Sequence, residues 1–247
     1  MTGAVTSLWR HPIKSHGREA LERVALTAGQ TLPGDRIWAV AHERSAADGS
    51  AWVPCVNFSR VSKAPELMAI TAKLDETAGT VTLSHPNLLD LTFDPDRDLA
   101  AFLIWVAPLM PADRAASARI IRVPGRGMTD SDFPSVTLCN MASHRAVSQR
   151  IGQDLSIHRW RGNIWIDGLA PWEEFDWIDR EVQIGDAVLR ARERTDRCAA
   201  TTANPETGRR DADTLAALSH WGHQDFSVRA EVIRGGDIAL GDSVQVL

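Results

Sequence analysis

Short segments in which apolar and polar residues alternate recur along this chain, and a period of two is that of a half-buried strand. They are expected at residues 4–9, 23–27, 37–43, 88–93, 119–123, 135–138 and 227–234. In 37–43, Ile37, Ala39 and Ala41 fall on one face and Trp38, Val40 and His42 on the other, which predicts a central strand covered on both sides. Residues 67–74 and 80–84 flank Asp75-Glu76-Thr77-Ala78-Gly79, the signature of a hairpin. Two further segments, 182–188 and 239–246, each read as strand, Gly-Asp turn, strand, which suits a small closed barrel. Helical patterning is expected in three places. Residues 96–109 follow Asp94 as N-cap and Pro95, and end at Pro108 and Pro111. Residues 141–151 follow the cap Asn140 and turn Ala142, Ala146 and Ile151 to the core. A shorter helix through Leu218 is capped by Asp211 or Asp213.

Composition narrows the class. A chain of 247 residues with 44% hydrophobic and 24% charged residues can bury a core without disulfide or metal staples. The formal net charge of −5 argues against nucleic acid or an anionic membrane as the main partner. No apolar run is long enough to span a bilayer, and residues 1–14 carry no basic stretch followed by an apolar one, so neither a membrane span nor a signal peptide is expected. Cys55, Cys139 and Cys198 make an odd set without framework spacing, the pattern of free thiols in a cytoplasmic protein. Nine tryptophans and no tyrosine point to bulky core and pocket walls.

The chemistry concentrates around Cys198. Arg197 sits directly before it and Arg194 four residues upstream, and positive charge near a thiol favours the thiolate, a nucleophile and a soft metal ligand. Ala199-Ala200-Thr201-Thr202 reads as a short strand, and Asn204-Pro205-Glu206-Thr207-Gly208 as a turn. Read alone, the cysteine is better taken as a small buried hydrophobe before a hairpin, since most single cysteines are structural. Lys14 and Ser15 together offer an ammonium and a hydroxyl suited to an anion such as phosphate, and Arg36 is placed to aim at the same anion. Arg159, Arg161 and Asn163 would share one face of a strand next to Gly162 and could bind a polyanion or a flat heterocycle. The long loop 124–134 is of a length that is often functional. Other clusters read as structural: His220 and His223 lack a third ligand at zinc-like spacing, Glu173, Glu174 and Asp176 read as a solvated loop, and Cys55 and Cys139 as inert.

Three of these segments stand in an order that resembles the MOSC proteins, the family named for the C-terminal domain of molybdenum cofactor sulfurases. His11-Pro12-Ile13-Lys14-Ser15 with Gly34-Asp35-Arg36-Ile37-Trp38 is similar to the N-terminal motifs of that family. Arg159-Trp160-Arg161-Gly162-Asn163-Ile164 resembles its Arg-Phe-Arg-Pro-Asn-Ile, and Arg197 to Gly208 its hallmark Arg-Cys-x-x-Thr-Thr-x-Asp/Asn-Pro-x-Thr-Gly. The resemblance covers nearly the whole chain. It departs at His11, where an aromatic is usual, at Gly162, where proline is usual, and at Asp196, where a small hydroxyl residue is often found.

The resemblance implies a mainly β fold with a few helices: an N-terminal β-rich module over 1–95 packed on a MOSC β-barrel over 96–247, with a linking helix at about 96–109. It implies molybdenum cofactor, with Cys198 as metal ligand and catalytic residue, and Lys14, Ser15, Arg36, Arg161, Asn163 and Arg197 around the pterin and its phosphate. The layout is nearest to the amidoxime-reducing members, which reduce N-hydroxylated compounds, so a small-molecule substrate and a separate electron-transfer protein are expected. Two alternatives are compatible with the same residues: sulfur transfer through a Cys198 persulfide from a sulfur donor, and a non-enzymatic carrier of the cofactor.

Overall fold

The first strand of the chain is hydrogen-bonded on both sides to strands from its C-terminal half. The computed structural model describes residues 3–247. In chain order the elements are β1 (Gly3–Arg10), β2 (Glu19–Leu21), β3 (Arg23–Leu26), β4 (Ala39–His42), β5 (Thr71–Asp75), β6 (Thr80–His85), β7 (Leu88–Phe93) and α1 (Leu99–Val106). They continue with β8 (Ser117–Ile121), β9 (Val136–Asn140), α2 (Met141–Ile151), β10 (Ile164–Asp167), β11 (Glu181–Ile184), β12 (Ala187–Asp196), α3 (Thr214–Ser219), β13 (Asp225–Arg234), β14 (Gly236–Ala239) and β15 (Ser243–Val246). The fold is mainly β, as expected.

Seven strands close a barrel in the order β10-β9-β13-β12-β11-β15-β1, with β1 returning to β10. All neighbours run antiparallel except β9 and β10, which are parallel with Ile164 opposite Leu138. Closure follows from the period-two pattern: Val228, Ala230 and Val232 point inward from β13, and Val5, Leu8, Val136, Leu138, Val182 and Ile184 meet them. Each such Val, Ile or Leu, once fully buried, stabilises the fold by roughly 1.5–3 kcal/mol. The Gly185-Asp186 turn joins β11 to β12 as expected, with Gly185 at φ 53°.

A second core holds Ile13, Trp38, Val40, Met68, Leu83 and Phe102, between the β5-β6-β7 sheet, α1 and the β4-β8 pair. The expected division at 95/96 does not coincide with a packing boundary. β1 is a barrel strand, β3 pairs with β14, and the core that begins at Ile13 continues through Phe102 and Val106 of α1 to Leu109. The first two residues of the 1–95 module lie outside the described residues. Among the described residues no helix is long and apolar enough to cross a membrane.

Several local expectations change. β4 is not a central strand: it pairs with β8 in a two-stranded sheet. It is buried on both faces because Val40 packs on the β5-β6-β7 sheet and α1 while Ala39 and Ala41 pack against Phe58 and Met128. The helix expected at 96–109 begins at Leu99, because Asp94 instead closes a turn, its carboxylate accepting from the Asp96 N–H and its carbonyl from the Asp98 N–H. Residues 67–69, expected to open a strand, belong instead to a 3-10 helix over Pro65–Ala69 with Pro65 in its first turn. Asn140 and Asp213 cap α2 and α3, accepting from the N–H groups of Ala142 and Ala216. Glu174 is no solvated carboxylate. It is buried and accepts from Ser143 Oγ at 2.9 Å and Asn140 Nδ2 at 2.7 Å, tying the 173–177 turn to α2.

Candidate functional site

The Cys198 stretch leaves the end of β12 and turns at once. Ala199–Thr202 is a 3-10 helix rather than the expected strand, because the Thr201 and Thr202 hydroxyls donate to the carbonyls of Cys198 and Ala199. The following turn is held by the Gly208 N–H donating to the Asn204 carbonyl. Gly208 lies at φ 69°, and a Cβ there would come within 2.6 Å of Glu66 Cα, so this turn seats directly on the N-terminal module. The outcome is an exposed Cys198 side chain at the rim of a cavity.

That cavity, of about 380 Å³, lies between the module and the barrel. Lys14, Ser15, Arg36, Arg161, Arg197 and Cys198 all line it. Asn163 does not. Its side-chain oxygen accepts from the Thr137 N–H at 3.1 Å and its amide donates to the Trp9 carbonyl at 3.1 Å, so it clasps β1 to β9 and holds the chain that carries Arg161. Arg159, Arg161 and Asn163 do not share a strand face. Ile157–Trp160 is a 3-10 helix, Arg161 is left-handed at φ 50°, and the strand begins only at Ile164. Gly162 has a packing reason: a Cβ there would fall 2.1 Å from Cys139 Sγ, a thiol buried between β9 and the 157–163 turn and pushed up to about 12 by that burial.

Six non-glycine residues among those described have positive φ, and three of them are Ser15, Arg36 and Arg161. Such conformations persist only where surrounding contacts enforce them, and they cluster at functional sites. Arg36 is held by its N–H on the His11 carbonyl and its own carbonyl under the Met128 N–H, both at 2.7 Å. Its guanidinium pairs with the buried Asp35 carboxylate and donates to the Arg161 carbonyl at 2.9 Å. Asp35 in turn accepts from the His11 N–H at 2.7 Å and contacts His11 Nδ1 at 3.1 Å. Burial alone would raise the Asp35 pKa, but the Arg36 charge and the His11 contacts outweigh it and hold the carboxyl well below the usual carboxylate range. His11, expected only as a departure from the family motif, is therefore the prop behind Asp35, lowered to about 3 by burial and by the Arg161 and Arg36 charges.

Lys14 reaches the cavity because Ile13 bridges to Trp38 in parallel, with the Lys14 N–H on the Trp38 carbonyl at 2.8 Å. Its ammonium donates to the Met128 carbonyl and to Asp130, each at 2.6 Å, leaving one of its three donors for a ligand. Burial lowers its pKa. Arg161 Nη2 donates to the Gly17 carbonyl, while Nη1 is buried without a partner. Burial and the neighbouring Arg36 push this guanidinium down to about 9. A buried charged donor with no acceptor costs free energy that an anionic ligand would recover. Arg197 lines the cavity with most of its donors already engaged. It donates to the Phe226 and Trp160 carbonyls and to Ser227 Oγ and lies over the Trp160 and Phe226 rings, outside the barrel core. Arg194 lies over Phe175 and does not line the cavity.

Residues with no motif signal complete the walls. Asp130 comes from the long loop flagged as functional, whereas Cys55, Arg60 and Arg229 had no local pattern to mark them. Cys55, expected to be inert, lines the cavity and accepts from Arg60 Nη1 at 3.2 Å. Asp196 lines it too, its carboxylate 3.1 Å from Arg229 Nη2, so its charge is partly matched within the wall.

Comparison with known proteins matches two family models along the chain. The family model described as MOSC N-terminal beta barrel domain matches residues 2–113, and that described as MOSC domain matches residues 128–245. Mitochondrial amidoxime-reducing component 1 of Mus musculus is 24% identical over 241 residues, covering 83% of this chain and 67% of that protein. Among solved structures, the YUAD protein from Bacillus subtilis aligns over 100% of this chain and 96% of its own, at 11% identity and a TM-score of 0.49. YiiM from Geobacillus stearothermophilus aligns over 45% of this chain and 53% of its own, at 15% identity and a TM-score of 0.37. With both domain models matched in order and the motif residues gathered on one cavity, this chain belongs to the MOSC proteins, distantly related to the amidoxime-reducing component.

Proposed function

We propose that this protein binds molybdenum cofactor in the cavity between module and barrel, with Cys198 as the thiolate ligand of the metal, and reduces N-hydroxylated small molecules there. One observation carries the reading: Lys14, Ser15, Arg36, Arg161 and Cys198, distant in sequence, converge on a single cavity. The kinship with an amidoxime-reducing component supplies the substrate class. The residues fit the cofactor. The orphaned Arg161 Nη1 and the free Lys14 donor suit a phosphate, and the exposed Cys198 thiol suits a soft metal. Among the described residues no group of three or more His, Cys, Asp or Glu side chains could hold a metal by itself, which suits a metal whose other ligands come with a cofactor.

When bound, the cofactor supplies the two-electron chemistry that removes oxygen from an N–O bond. The chain supplies the rest. Lys14, Ser15, Arg36 and Arg161 hold the phosphate. Asp35 and His11 keep Arg36 aimed at it. Asp196 stays turned to Arg229, which limits its repulsion of an anionic group. Each turnover consumes two electrons and two protons and releases water, with the electrons from a separate electron-transfer protein. The test is molybdenum and pterin content, with substrate-dependent electron consumption, in wild type and Cys198→Ala from a host that makes the cofactor. Stoichiometric metal and reduction in wild type, both lost in the variant, are expected. Reduction retained in Cys198→Ala overturns the assignment.

A second reading is favoured by the exposure of Cys198 and by a second thiol, Cys55, on the same cavity. In it Cys198 carries a persulfide taken from a sulfur donor and passes the sulfur on. Mass spectrometry showing no cyanide-releasable sulfur on Cys198 after loading would remove it. A pure carrier would show tight cofactor binding without turnover.

A further inference from the structure

Seven cationic side chains line the cavity, and all but Arg60 are accounted for. Lys14 pairs with Asp130, Arg36 with Asp35, Arg159 with Asp211, and Arg229 with Glu193 and Asp196. Arg197 is satisfied by two carbonyls and a hydroxyl. Arg161 belongs to the phosphate set. Arg60 has no carboxylate partner among the described residues, and its side-chain hydrogen bond goes to the thiol of Cys55, a weak acceptor. A guanidinium carries five donors, so most of its fork is left to the cavity.

The backbone around Arg60 is fixed. Its carbonyl accepts from the N–H groups of Lys63 and Ala64, at 2.9 and 3.0 Å. Ser62, in the same turn, also lines the cavity, and its hydroxyl makes no hydrogen bond among the described residues. The Ser62 carbonyl accepts from Arg210 Nη2 at 2.9 Å. Arg210 Nη1 reaches the Ala199 carbonyl and Thr202 Oγ1, so one arginine stitches the Arg60–Ser62 turn to the loop that follows Cys198. The guanidinium and hydroxyl are thus held beside the Cys198 loop, on a turn distinct from the segments that carry Lys14, Ser15, Arg36 and Arg161.

We propose that Arg60 and Ser62 form a second anion site in this cavity, which receives the carboxylate of an acidic substrate while its reducible group faces Cys198. The anion site stands by itself, and only the placement of the reducible group at Cys198 rests on the reduction reading. One planar fork and one hydroxyl match a single carboxylate in charge and in shape. Substrates with a carboxylate on the side away from the N–O group are therefore favoured over neutral ones.

The test compares a neutral aryl amidoxime with its para-carboxylate on molybdenum-loaded wild type, Arg60→Gln and Arg60→Lys. Wild type is expected to prefer the carboxylate by about tenfold or more in kcat/KM, the equivalent of one charge-assisted contact. The preference should fall to about unity in Arg60→Gln, with Arg60→Lys between, since lysine keeps the charge and loses the fork. Equal preference in wild type and Arg60→Gln overturns the site. If loaded wild type reduces neither compound, the reduction reading has failed instead. The anion site is then judged by equilibrium dialysis of the same two compounds. A carboxylate preference in wild type that vanishes in Arg60→Gln supports it, and no preference in wild type overturns it.

Discussion

Asp35 and Glu174 are both carboxylates with 1% exposure, and the molecule treats them in opposite ways. Asp35 stands behind the cavity, against the Arg36 guanidinium and the His11 ring. Glu174 stands under α2, against the neutral amide of Asn140 and the hydroxyl of Ser143. Burial raises both, but only Asp35 has a charged neighbour strong enough to reverse it, and its pKa is held low while Glu174 is pushed up to about 7. Near the cavity, charge is used to aim other charges at a ligand. Along the flank of the barrel, a carboxyl group serves as a hydrogen-bonding joint between a helix and a turn, and its ionisation works against the fold.

The hardest test of that contrast is Asp35→Ala. It leaves Arg36 without its countercharge and the His11 N–H without its acceptor, and should cost on the order of 3–5 kcal/mol in denaturant unfolding. A loss below about 1 kcal/mol would place Asp35 with exposed ion pairs and end the comparison.

A smaller effect separates the two carboxylates by pH. Glu174 has a folded pKa above its unfolded value, so its protonated form contributes stability that is full below the unfolded pKa and lost as pH rises through about 7. The loss is expected to be on the order of 2–3 kcal/mol between about pH 5 and about pH 8. Asp35 has the reverse sign: its stabilisation is present above its unfolded pKa and is lost as pH falls below it. The buried histidines His11, His16 and His158, whose folded pKa values are lowered, raise stability over the same range in both proteins. The Glu174 contribution is therefore read as the stability of wild type minus that of Glu174→Gln in urea unfolding, a difference that should fall as pH rises. The same slope in both proteins would show that Glu174 ionises freely.

The smallest effect sharpens the cavity side. Arg161→Met in cofactor-free protein should change stability by less than about 1 kcal/mol, because no carboxylate is orphaned and one unpartnered donor is removed. Molybdenum retention after desalting should nevertheless fall. A large loss of stability with unchanged retention would make Arg161 a structural residue.

Much of the site was legible because its motifs are local. Lys14-Ser15, Asp35-Arg36 and Arg197-Cys198 put chemistry-bearing residues side by side, and all of them except Asp35 line the cavity. Asn163 was misleading for the same reason. It sits in a motif with Arg161 but is turned to the Trp9 and Thr137 backbones, a placement decided by where β1 crosses β9 and β10. Arg60 and Cys55 were silent because nothing near them in sequence says that a loop of the module will face the Cys198 turn. Glu174 departs from its sequence reading because three acidic side chains within four residues suggest water, and only the approach of α2 buries the middle one.

By itself the sequence determined most strands of the barrel, the cap of α2 and the turns at Gly185 and Gly208, since period-two patterning, capping and positive φ act over a few residues. It left the α3 cap between Asp211 and Asp213 and set the strand of β10 several residues too early. It also named the residues most able to bind an anion and a soft metal. The tertiary structure alone decided that β1 closes a barrel made by the C-terminal half, that Ser15, Arg36 and Arg161 are bent into left-handed conformations, and that Arg60 faces the cavity beside the Cys198 loop. Those outcomes depend on contacts between residues more than a hundred positions apart, such as the Arg36 guanidinium on the Arg161 carbonyl and the Lys14 ammonium on the Met128 carbonyl. No local pattern carries that information, because the burial that sets it exists only once both halves have packed.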